Sequence, residues 1–309
     1  MPVLRTALAT AGLGAGSLAW ASLVERHWYA LRRATLPVLA PGSRSLRVLH
    51  VSDLHLVPRQ ERRIRWVRDL AALEPDLVVN TGDNCSDPQA VPAVLRAFEP
   101  LLERPGVFVL GSNDYYGPKP KNPLKYLTGG HPRGRDLGTA ELPTAELVSG
   151  FERGGWTDLD NARTRMRVGG VELELVGVDD PHIGLDRYAD VAAPAATDVA
   201  LTVGVVHAPY THVLDPMVAD GAGLVLAGHT HGGQVAVPFY GALATNCDLD
   251  TRRAKGVSRW WPGANGVPSR HAPAGAAWLN VSAGLGHSKY APVRFACRPE
   301  ASLLTLVPR

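Results

Sequence analysis

The sequence predicts an α/β fold, a four-layer sandwich in which two mixed β-sheets lie face to face and are flanked by helices. Short apolar runs rich in Val and Leu recur along the chain and stop at polar residues, as buried strands do. Helical patterns separate the first three runs, and alternation of strands and helices is typical of a parallel sheet. A chain of 309 residues that is 45% apolar and 20% charged is also long and apolar enough for a large core.

Residues 1–44 are predicted to be an N-terminal apolar segment followed by a linker. Thr6–Val24 contains no charge and has about the length of a membrane span. The small residues at Ala19–Ala21 also fit a signal-peptide cleavage point, so a membrane anchor, a cleaved signal and a soluble helix remain open. Arg26, Arg32 and Arg33 follow the segment. For a single span in the cell membrane they favour a cytoplasmic main domain, whereas a cleaved signal implies export.

Residues 45–309 are predicted to form one domain. Five of its apolar runs end at residues that can bind metals, namely Asp53, Asp83, Asn113, His207 and His229. The stretches "ERRIRWVRDLAAL" and "DPQAVPAVLRAFEPLLER" are predicted helices, the second with Asp87 as its N-cap and Pro88 in its first turn. Ligands bind at the carboxyl ends of the strands in such sheets.

The second half of the domain has weaker patterns. Residues 116–156, rich in Pro, Gly and basic residues, are predicted to be an inserted cap or lid with a short helix at Thr144–Phe151. A hairpin turned at Gly169–Gly170 and strands after Ala277, including "VRFAC", are predicted to form a second, more antiparallel sheet. Trp260 and Trp261 fit either a loop over the site or a membrane-facing patch.

Charge and cysteine content exclude some classes of function. The net charge of +3 is not concentrated in a basic block beyond the first few dozen residues, so nothing marks a nucleic-acid surface. The three cysteines are widely spaced and predict buried thiols, rather than a disulfide framework or a zinc knuckle.

Residues that bind metals gather at the predicted strand ends. Asp53 and His55 are two residues apart, so they share a face if the strand continues through them. Asp83 follows the next strand and can bridge two cations. Later strand ends add imidazoles, at His207, His229 and His231. These oxygen and nitrogen donors, with no thiolate among them, suit two Mn, Fe or Zn ions, and such pairs clamp the oxygens of phosphoryl transfer.

Five motifs together resemble the calcineurin-like metallophosphoesterase family. They are "DLH" at 53–55, "GDN" at 82–84, "GSND" at 111–114, "HAP" at 207–209 and "GHTHGGQ" at 228–234. Their order and spacing match over about residues 46–307. The "GGQ" extension, "GVDDPH" at 177–182 and the apolar N-terminus look most like the bacterial membrane-associated or exported branch, the YaeI/YkuE-like phosphodiesterases.

The resemblance implies a phosphoric ester hydrolase with two divalent or trivalent metal ions. The ligands that it implies are Asp53, His55 and His231 for the first metal, Asp83 for both, and His207 and His229 for the second. A water or hydroxide between the metals would attack phosphorus, without a protein nucleophile. The expected substrate is a phosphodiester or pyrophosphate of the membrane or cell envelope.

The chain departs from the family pattern at residues 111–114, where the family has Gly-Asn-His-Asp. Ser112 falls at the place of the asparagine ligand, and Asn113 at that of the histidine that protonates the leaving group. Either a local shift brings Asn113 to the second metal or Ser112 takes that place. Because the imidazole is missing, we expect either substrates whose leaving oxygen needs little protonation, or another acid, with His182 and His131 as candidates.

Three further groups carry weaker signals. Asp114 is expected to orient its neighbours as a carboxylate behind the metal ligands. Asp179 and Asp180 either approach the metals or only form a turn. His287 and Lys289 of "GLGHSK" either contact phosphate or belong to a surface turn, which is favoured.

Two alternative functions have less support in the sequence. A metal-binding regulatory protein with weak or lost catalysis is supported by "GSND" alone. A nucleic-acid or nucleotide phosphodiesterase shares the chemistry but predicts a basic groove that the sequence lacks. The sequence does not indicate an oligomeric state.

Overall fold

A computed structural model describes residues 12–120 and 140–309. Residues 12–19 are α-helical, and the helix continues as a π-helical turn at Trp20–Val24 and a 3-10 turn at Glu25–His27. Among the helices of these two ranges, none combines the length and the apolar content needed to cross a bilayer. Residues 6–11 of the predicted apolar segment lie outside the described part of the chain.

The first sheet contains the parallel strands predicted around the first three motifs. In spatial order it consists of β1 (Ala30–Leu39), β14 (Glu300–Pro308), β2 (Leu46–Val51), β3 (Leu77–Asn80), β4 (Gly106–Phe108) and β5 (Thr157–Asp158). Strands β2 to β5 run parallel, and β14 is antiparallel to β2. Part of the predicted linker belongs to the edge strand β1, because Leu36 and Leu39 are buried in the core.

The second sheet is mixed and is the more antiparallel of the two, as expected, with two antiparallel pairings among its five against one in the first sheet. Its order is β12 (Gly256–Trp260), β13 (Ala277–Val281), β9 (Leu224–Ala227), β8 (Leu201–Val206), β7 (Val171–Gly177) and β6 (Ala162–Val168). The β6–β7 hairpin at Gly169–Gly170 is confirmed, but β7, β8, β9 and β13 run parallel. The connections from β7 to β8 and from β8 to β9 contain helices, as is usual for crossovers between parallel strands. Phe295 of "VRFAC" makes only an isolated bridge to Val235.

Helices cover the outer faces of both sheets. In chain order they are α1 (Glu61–Asp69), α2 (Val91–Phe98), α3 (Ser112–Tyr115), α4 (Thr144–Arg153), α5 (Tyr188–Val191) and α6 (Thr211–Ala219). Helix α2 begins later than predicted, with Pro92 rather than Pro88 in its first turn. The Asp87 carboxylate instead accepts a hydrogen bond from the backbone N–H of Gln89 in the preceding turn.

Three apolar clusters confirm the four layers. One lies between the sheets and combines Val48 and Val79 of the first with Leu175 and Val205 of the second. The other two lie between each sheet and its helices. The strand ends that follow β2, β3, β8 and β9 therefore meet at one edge of the sandwich.

The helix predicted within the cap is present as α4, but it belongs to the helical layer. The Phe151 ring packs edge-to-face on Phe98, with ring centroids 5.5 Å apart, and Leu147 is buried in the same cluster. Residues 121–139 of the predicted cap, with the candidate acid His131, lie outside the described residues.

Trp260 fits neither interpretation of the Trp260–Trp261 pair. Trp260 is fully buried, and its indole N–H donates to Asp215 Oδ1 at 2.9 Å. Trp261 packs against the same apolar cluster. The prediction for the thiols is confirmed, since all three cysteines are free and buried.

Candidate metal centre

The candidate ligands lie on loops in left-handed backbone conformations. Strand β2 ends at Val51, and Asp53 and His55 follow with φ of 51° and 43°. The expectation that a continued strand puts them on one face is therefore wrong. Left-handed φ also occurs at Asp83, His229 and His231. Each such residue costs about 1–3 kcal/mol, and strain of this kind clusters at functional sites.

Hydrogen bonds between the loops hold these conformations. The backbone N–H of Asp53 donates to Gly82 O, and that of His55 donates to Asp83 O, both at 2.9 Å. The N–H of His229 donates to both carboxylate oxygens of Asp53, at 3.2 and 3.1 Å. The loops after β2, β3 and β9 are thus tied directly to one another.

Five of the predicted ligands form two groups that could hold a metal ion. One comprises Asp53, His55 and His231, and the other Asp53, Asp83 and His207, with the donor atoms of each group within 4.8 Å of one another. His55 Nε2 lies 3.0 Å from His231 Nε2. Asp83 Oδ2 lies between the groups, 3.3 Å from His55 Nε2 and 3.5 Å from His207 Nε2. Both carboxylates therefore face the space between the imidazoles.

The orientation of the imidazoles fits a metal centre. His207 Nδ1 lies 2.6 Å from the Thr81 carbonyl oxygen and donates to it, which leaves the Nε2 lone pair facing Asp83. This buried Nε2 has no hydrogen-bond partner among the described residues. His55 Nδ1 is similarly held by Ser86 Oγ at 3.1 Å. Histidines that bind metals are typically oriented through their other ring nitrogen in this way.

His229 lies beside the two groups but belongs to neither. Its Nε2 is 3.1 Å from the Asn246 carbonyl oxygen. Its ring is 5.3 Å from that of His207 and 4.5 Å from that of His182. With Nε2 donating to Asn246, Nδ1 is the nitrogen left to bind a metal.

The "GSND" segment brings Asn113 to Asp83. The Asn113 backbone N–H donates to Asp83 Oδ1 at 2.7 Å, and its side-chain amide donates to Oδ2 at 2.8 Å. A flip of this amide would present its oxygen at the same place. Asn113, rather than Ser112, therefore contacts the Asp83 carboxylate.

The Asp114 carboxylate joins the loops that carry Asp83 and Asn113. Its carboxylate accepts hydrogen bonds from the backbone N–H groups of Asp83, Asn84 and Gly111, at 2.8 to 3.0 Å. Burial raises the pKa of this carboxyl to about 7. Asp114 thereby fixes the loop after β3 against the start of α3.

The "GVDDPH" segment also reaches the centre. Asp179 accepts a hydrogen bond from the Tyr115 hydroxyl at 2.9 Å. Asp180 is fully buried, its Oδ1 accepts from the His182 N–H, and its Oδ2 has no hydrogen-bond partner within residues 12–120 and 140–309. His182 Nδ1 lies 3.0 Å from the Tyr210 hydroxyl, with the ring packed on His229.

The carboxylates make the electrostatic field of the centre suitable for cations. Burial alone would lower the pKa of His207, but Asp83, Asp180 and Asp53 raise it well above its usual value. Burial lowers the pKa of His55 to about 4 and keeps that ring neutral. A metal ion bound at this centre would compensate the same carboxylates.

Comparison with known proteins decides the family. The sequence profile of the calcineurin-like phosphoesterase family matches residues 46–233. The chain belongs to the calcineurin-like phosphoesterase family. It is therefore a phosphoesterase, a hydrolase of phosphoric esters.

Relatives match over nearly the whole chain. The uncharacterized metallophosphoesterase YkuE of Bacillus subtilis is 25% identical and covers 97% of this chain and 93% of its own. The phosphodiesterase YaeI of Escherichia coli is 26% identical, with 92% and 90% covered. Among solved structures, TT1561 of Thermus thermophilus shares 13% identity over 78% of this chain and 91% of its own, with a TM-score of 0.42.

Arg294 is a residue of this phosphoesterase centre that the sequence did not predict. It is fully buried, and its guanidinium lies 3.1 Å from His231 Nδ1 while donating to the carbonyl oxygens of His231 and Ala283, at 2.8 and 2.7 Å. Burial, with the charges of His55 and Arg294, lowers the pKa of His231 well below its usual value. Arg294 thus positions a neutral His231; an isolated arginine carries no motif that reveals this role.

The "GLGHSK" loop packs against the centre, so its interpretation as a surface turn is wrong. A Cβ on Gly284, which has φ of 67°, would lie 2.5 Å from Asp53 Cβ. His287 is buried, and burial lowers its pKa to about 3. Lys289 pairs with Asp87 at 3.2 Å. The glycines of this loop were the available signal for its close approach.

A buried chain of hydrogen bonds reaches Asp53 from the second sheet. The Asn280 amide donates to His50 Nδ1 at 2.9 Å, and His50 Nε2 lies 2.9 Å from the Thr81 hydroxyl. Thr81 donates to Ser52 at 2.7 Å, and Ser52 donates to Asp53 Oδ2 at 2.5 Å. This chain requires a neutral His50, and burial lowers the pKa of His50 to about 3.

Proposed function

We propose that this phosphoesterase hydrolyses phosphodiester or pyrophosphate bonds with two metal ions bound at the edge of the sandwich where the strand ends meet. The observation that carries the proposal is the pair of donor groups sharing Asp53, with Asp83 Oδ2 between the imidazoles of His55 and His207. Oxygen and nitrogen donors of this kind suit Mn, Fe or Zn. When bound, two such ions would lower the pKa of water to about 7 and neutralise phosphate charge.

The protein's own residues would hold the two ions in place and balance their charge. We assign Asp53, His55 and His231 to one ion, with Arg294 holding His231, and Asp83 to both. The second ion is assigned to His207, His229 through Nδ1, and the Asn113 amide oxygen. Asp114 keeps Asp83 and Asn113 together, because its hydrogen bonds join the loops that carry them.

The leaving group is the point at which this chain differs from the family pattern. Position 113 carries an amide, which cannot protonate a departing alkoxide. His182 is the imidazole that lies against His229, outside the two donor groups. We therefore propose that the enzyme either prefers phosphoanhydrides and aryl esters, or takes its proton from His182 when the leaving oxygen is more basic.

We also propose that the substrate is a component of the membrane or cell envelope, and that the N-terminal segment anchors the protein in the cell membrane. The uncharged stretch of residues 6–24 supports this. Leu13, Leu18 and Leu23 of the N-terminal helix are also exposed, an unfavourable arrangement for a helix in water.

The test is turnover of bis-p-nitrophenyl phosphate by the purified protein with added Mn²⁺. Asp83→Asn should lower kcat by at least about a hundredfold, because both ions lose a shared carboxylate. Asp198→Asn, which removes an exposed carboxylate paired with Arg165, is the matched control and should keep full activity.

The departure at residue 113 favours a second candidate, a metal-binding regulatory protein without efficient catalysis. This candidate would be established by wild-type protein that binds two metal ions per chain but turns over no activated ester. The same result would refute the hydrolase proposal.

A further inference from the structure

A short hairpin next to the metal centre exposes large aromatic side chains. Strands β10 (Ala236–Val237) and β11 (Gly241–Ala242) pair antiparallel, and the turn between them carries Phe239 and Tyr240. Phe239 is fully exposed, with a relative accessibility of 110%, and Tyr240 is 76% exposed. Val235, Val237 and Leu243 extend the exposed apolar surface. Contiguous exposure of this kind marks an interaction surface.

The backbone conformation of this turn is unfavourable for Phe239. The N–H of Tyr240 donates to Val237 O at 3.1 Å, so Pro238 and Phe239 are the two central residues of the turn. Phe239 has φ of 67°. Turns with proline followed by a left-handed residue favour Gly or Asn there, and a bulky residue is an outlier. Folding gains nothing from an exposed, strained phenylalanine, so its benefit must come from binding.

The hairpin and the N-terminal helix are attached to adjacent residues. The Ala236 N–H donates to Phe295 O at 2.9 Å, and the Arg294 N–H donates to Ala21 O at 3.1 Å. The helix that carries Ala21 exposes Leu18 and Leu23 in addition to Trp20. Two apolar elements from distant parts of the chain therefore flank one segment, and that segment holds His231 through Arg294.

We propose that Phe239 and Tyr240 dock the metal centre onto a lipid bilayer. The chemistry of the neighbouring elements favours lipid as the partner. Tyrosine prefers the interfacial layer of a membrane, the N-terminal helix adds the exposed side chains of Leu18, Trp20 and Leu23, and the exposed Arg33 on β1 can pair with anionic headgroups. The inference rests on the proposed function only for the location of the substrate.

Docking can be followed with a fluorescent label on Tyr240→Cys. The native cysteines are buried, so a maleimide nitrobenzoxadiazole dye should react with the introduced thiol. With the full chain and vesicles of phosphatidylethanolamine and phosphatidylglycerol, emission should shift to the blue as the dye enters the bilayer. The emission of the same dye on Glu172→Cys should not shift, because Glu172 lies beside the β6–β7 turn, at the end of β7 away from the metal centre. No shift at position 240 would overturn the proposal.

Phe239→Gly separates docking from folding. Glycine relieves the left-handed strain, so this variant should have a higher Tm than the wild type, while its hydrolysis of a vesicle-borne phosphodiester should fall by at least about fivefold. Its turnover of soluble bis-p-nitrophenyl phosphate should remain unchanged. Equal rates for variant and wild type on the vesicle-borne substrate would overturn docking. Absence of turnover of the soluble ester by the wild type would instead refute the proposed function, and the dye shift alone would then decide docking.

Discussion

The backbone of Gly228 packs tightly against the metal centre, and Gly228→Ala should disrupt it. A Cβ there would lie well inside van der Waals contact with Ser52 Oγ and 2.6 Å from Asp53 Oδ2. Ser52 cannot yield without cost, because its hydroxyl accepts from Thr81 and donates to Asp53. The substitution therefore displaces the last two hydrogen bonds of the buried chain that begins at Asn280.

The expected loss of stability follows from these contacts. The hydrogen bond to the Asp53 carboxylate contributes about 1.5–3 kcal/mol and the neutral Thr81 bond about 0.5–1.5 kcal/mol. Overpacking adds about 1–3 kcal/mol. Together they amount to roughly 3–7 kcal/mol, a large part of the total of about 5–15 kcal/mol for a typical domain.

Urea unfolding with a chelator present measures this loss without a contribution from bound metal. Gly275→Ala is the matched control, because a Cβ there meets no atom within 4 Å. The reasoning would be refuted if the two variants differed in unfolding free energy by less than about 0.5 kcal/mol. A stable Gly228→Ala protein would mean that Ser52 moves freely and that Asp53 does not depend on it.

Three further predictions concern the groups around the centre. First, His50 has a pKa near 6.5 in the unfolded chain and of about 3 in the folded protein, where burial lowers it. The unfolded state therefore binds the proton more readily. Lowering the pH from 8 to 5 should reduce the unfolding free energy of the wild type by about 2 kcal/mol through this residue. His50→Leu should be less stable at pH 8 but should lose about 2 kcal/mol less over that interval in chelator-treated urea titrations; an identical pH dependence would contradict the assignment. Second, Arg294→Lys should weaken metal binding about 10- to 100-fold in calorimetric titrations, because an ammonium cannot hold His231 and the surrounding carbonyls together, while Arg165→Lys should have no effect. Unchanged affinity in Arg294→Lys would show that His231 is positioned by other contacts. Third, His182→Ala should lower kcat/KM about 10²-fold for alkyl phosphodiesters and much less for aryl esters, and small, equal effects on both classes would exclude His182 as the acid.

Local sequence patterns predicted the elements whose structure depends mainly on neighbouring residues. The Val- and Leu-rich runs predicted β2, β3, β8 and β9, since apolar runs of four to six residues rich in β-branched side chains favour buried strands over helices, which are longer. The glycine pair predicted the β6–β7 hairpin because both positions require positive φ. Helix α2 began later than predicted because Asp87 caps a turn instead of the helix.

These local patterns could not predict contacts between distant parts of the chain. Nothing local marks Arg294 as the partner of His231, which is 63 residues away in the sequence. The burial of His287 likewise depends on the loop after β13 packing on Asp53.

The sequence by itself determined the layered α/β architecture, the family and the identity of most candidate ligands, because these depend on residue type, order and spacing. Only the tertiary structure decided how the ligands converge. Asp53, His55, Asp83, His229 and His231 leave the strands through left-handed turns, and those strained conformations persist because hydrogen bonds between separate loops and the packing of Gly228 and Gly284 hold them. Such stabilisation is a property of the folded chain and has no counterpart in any local segment.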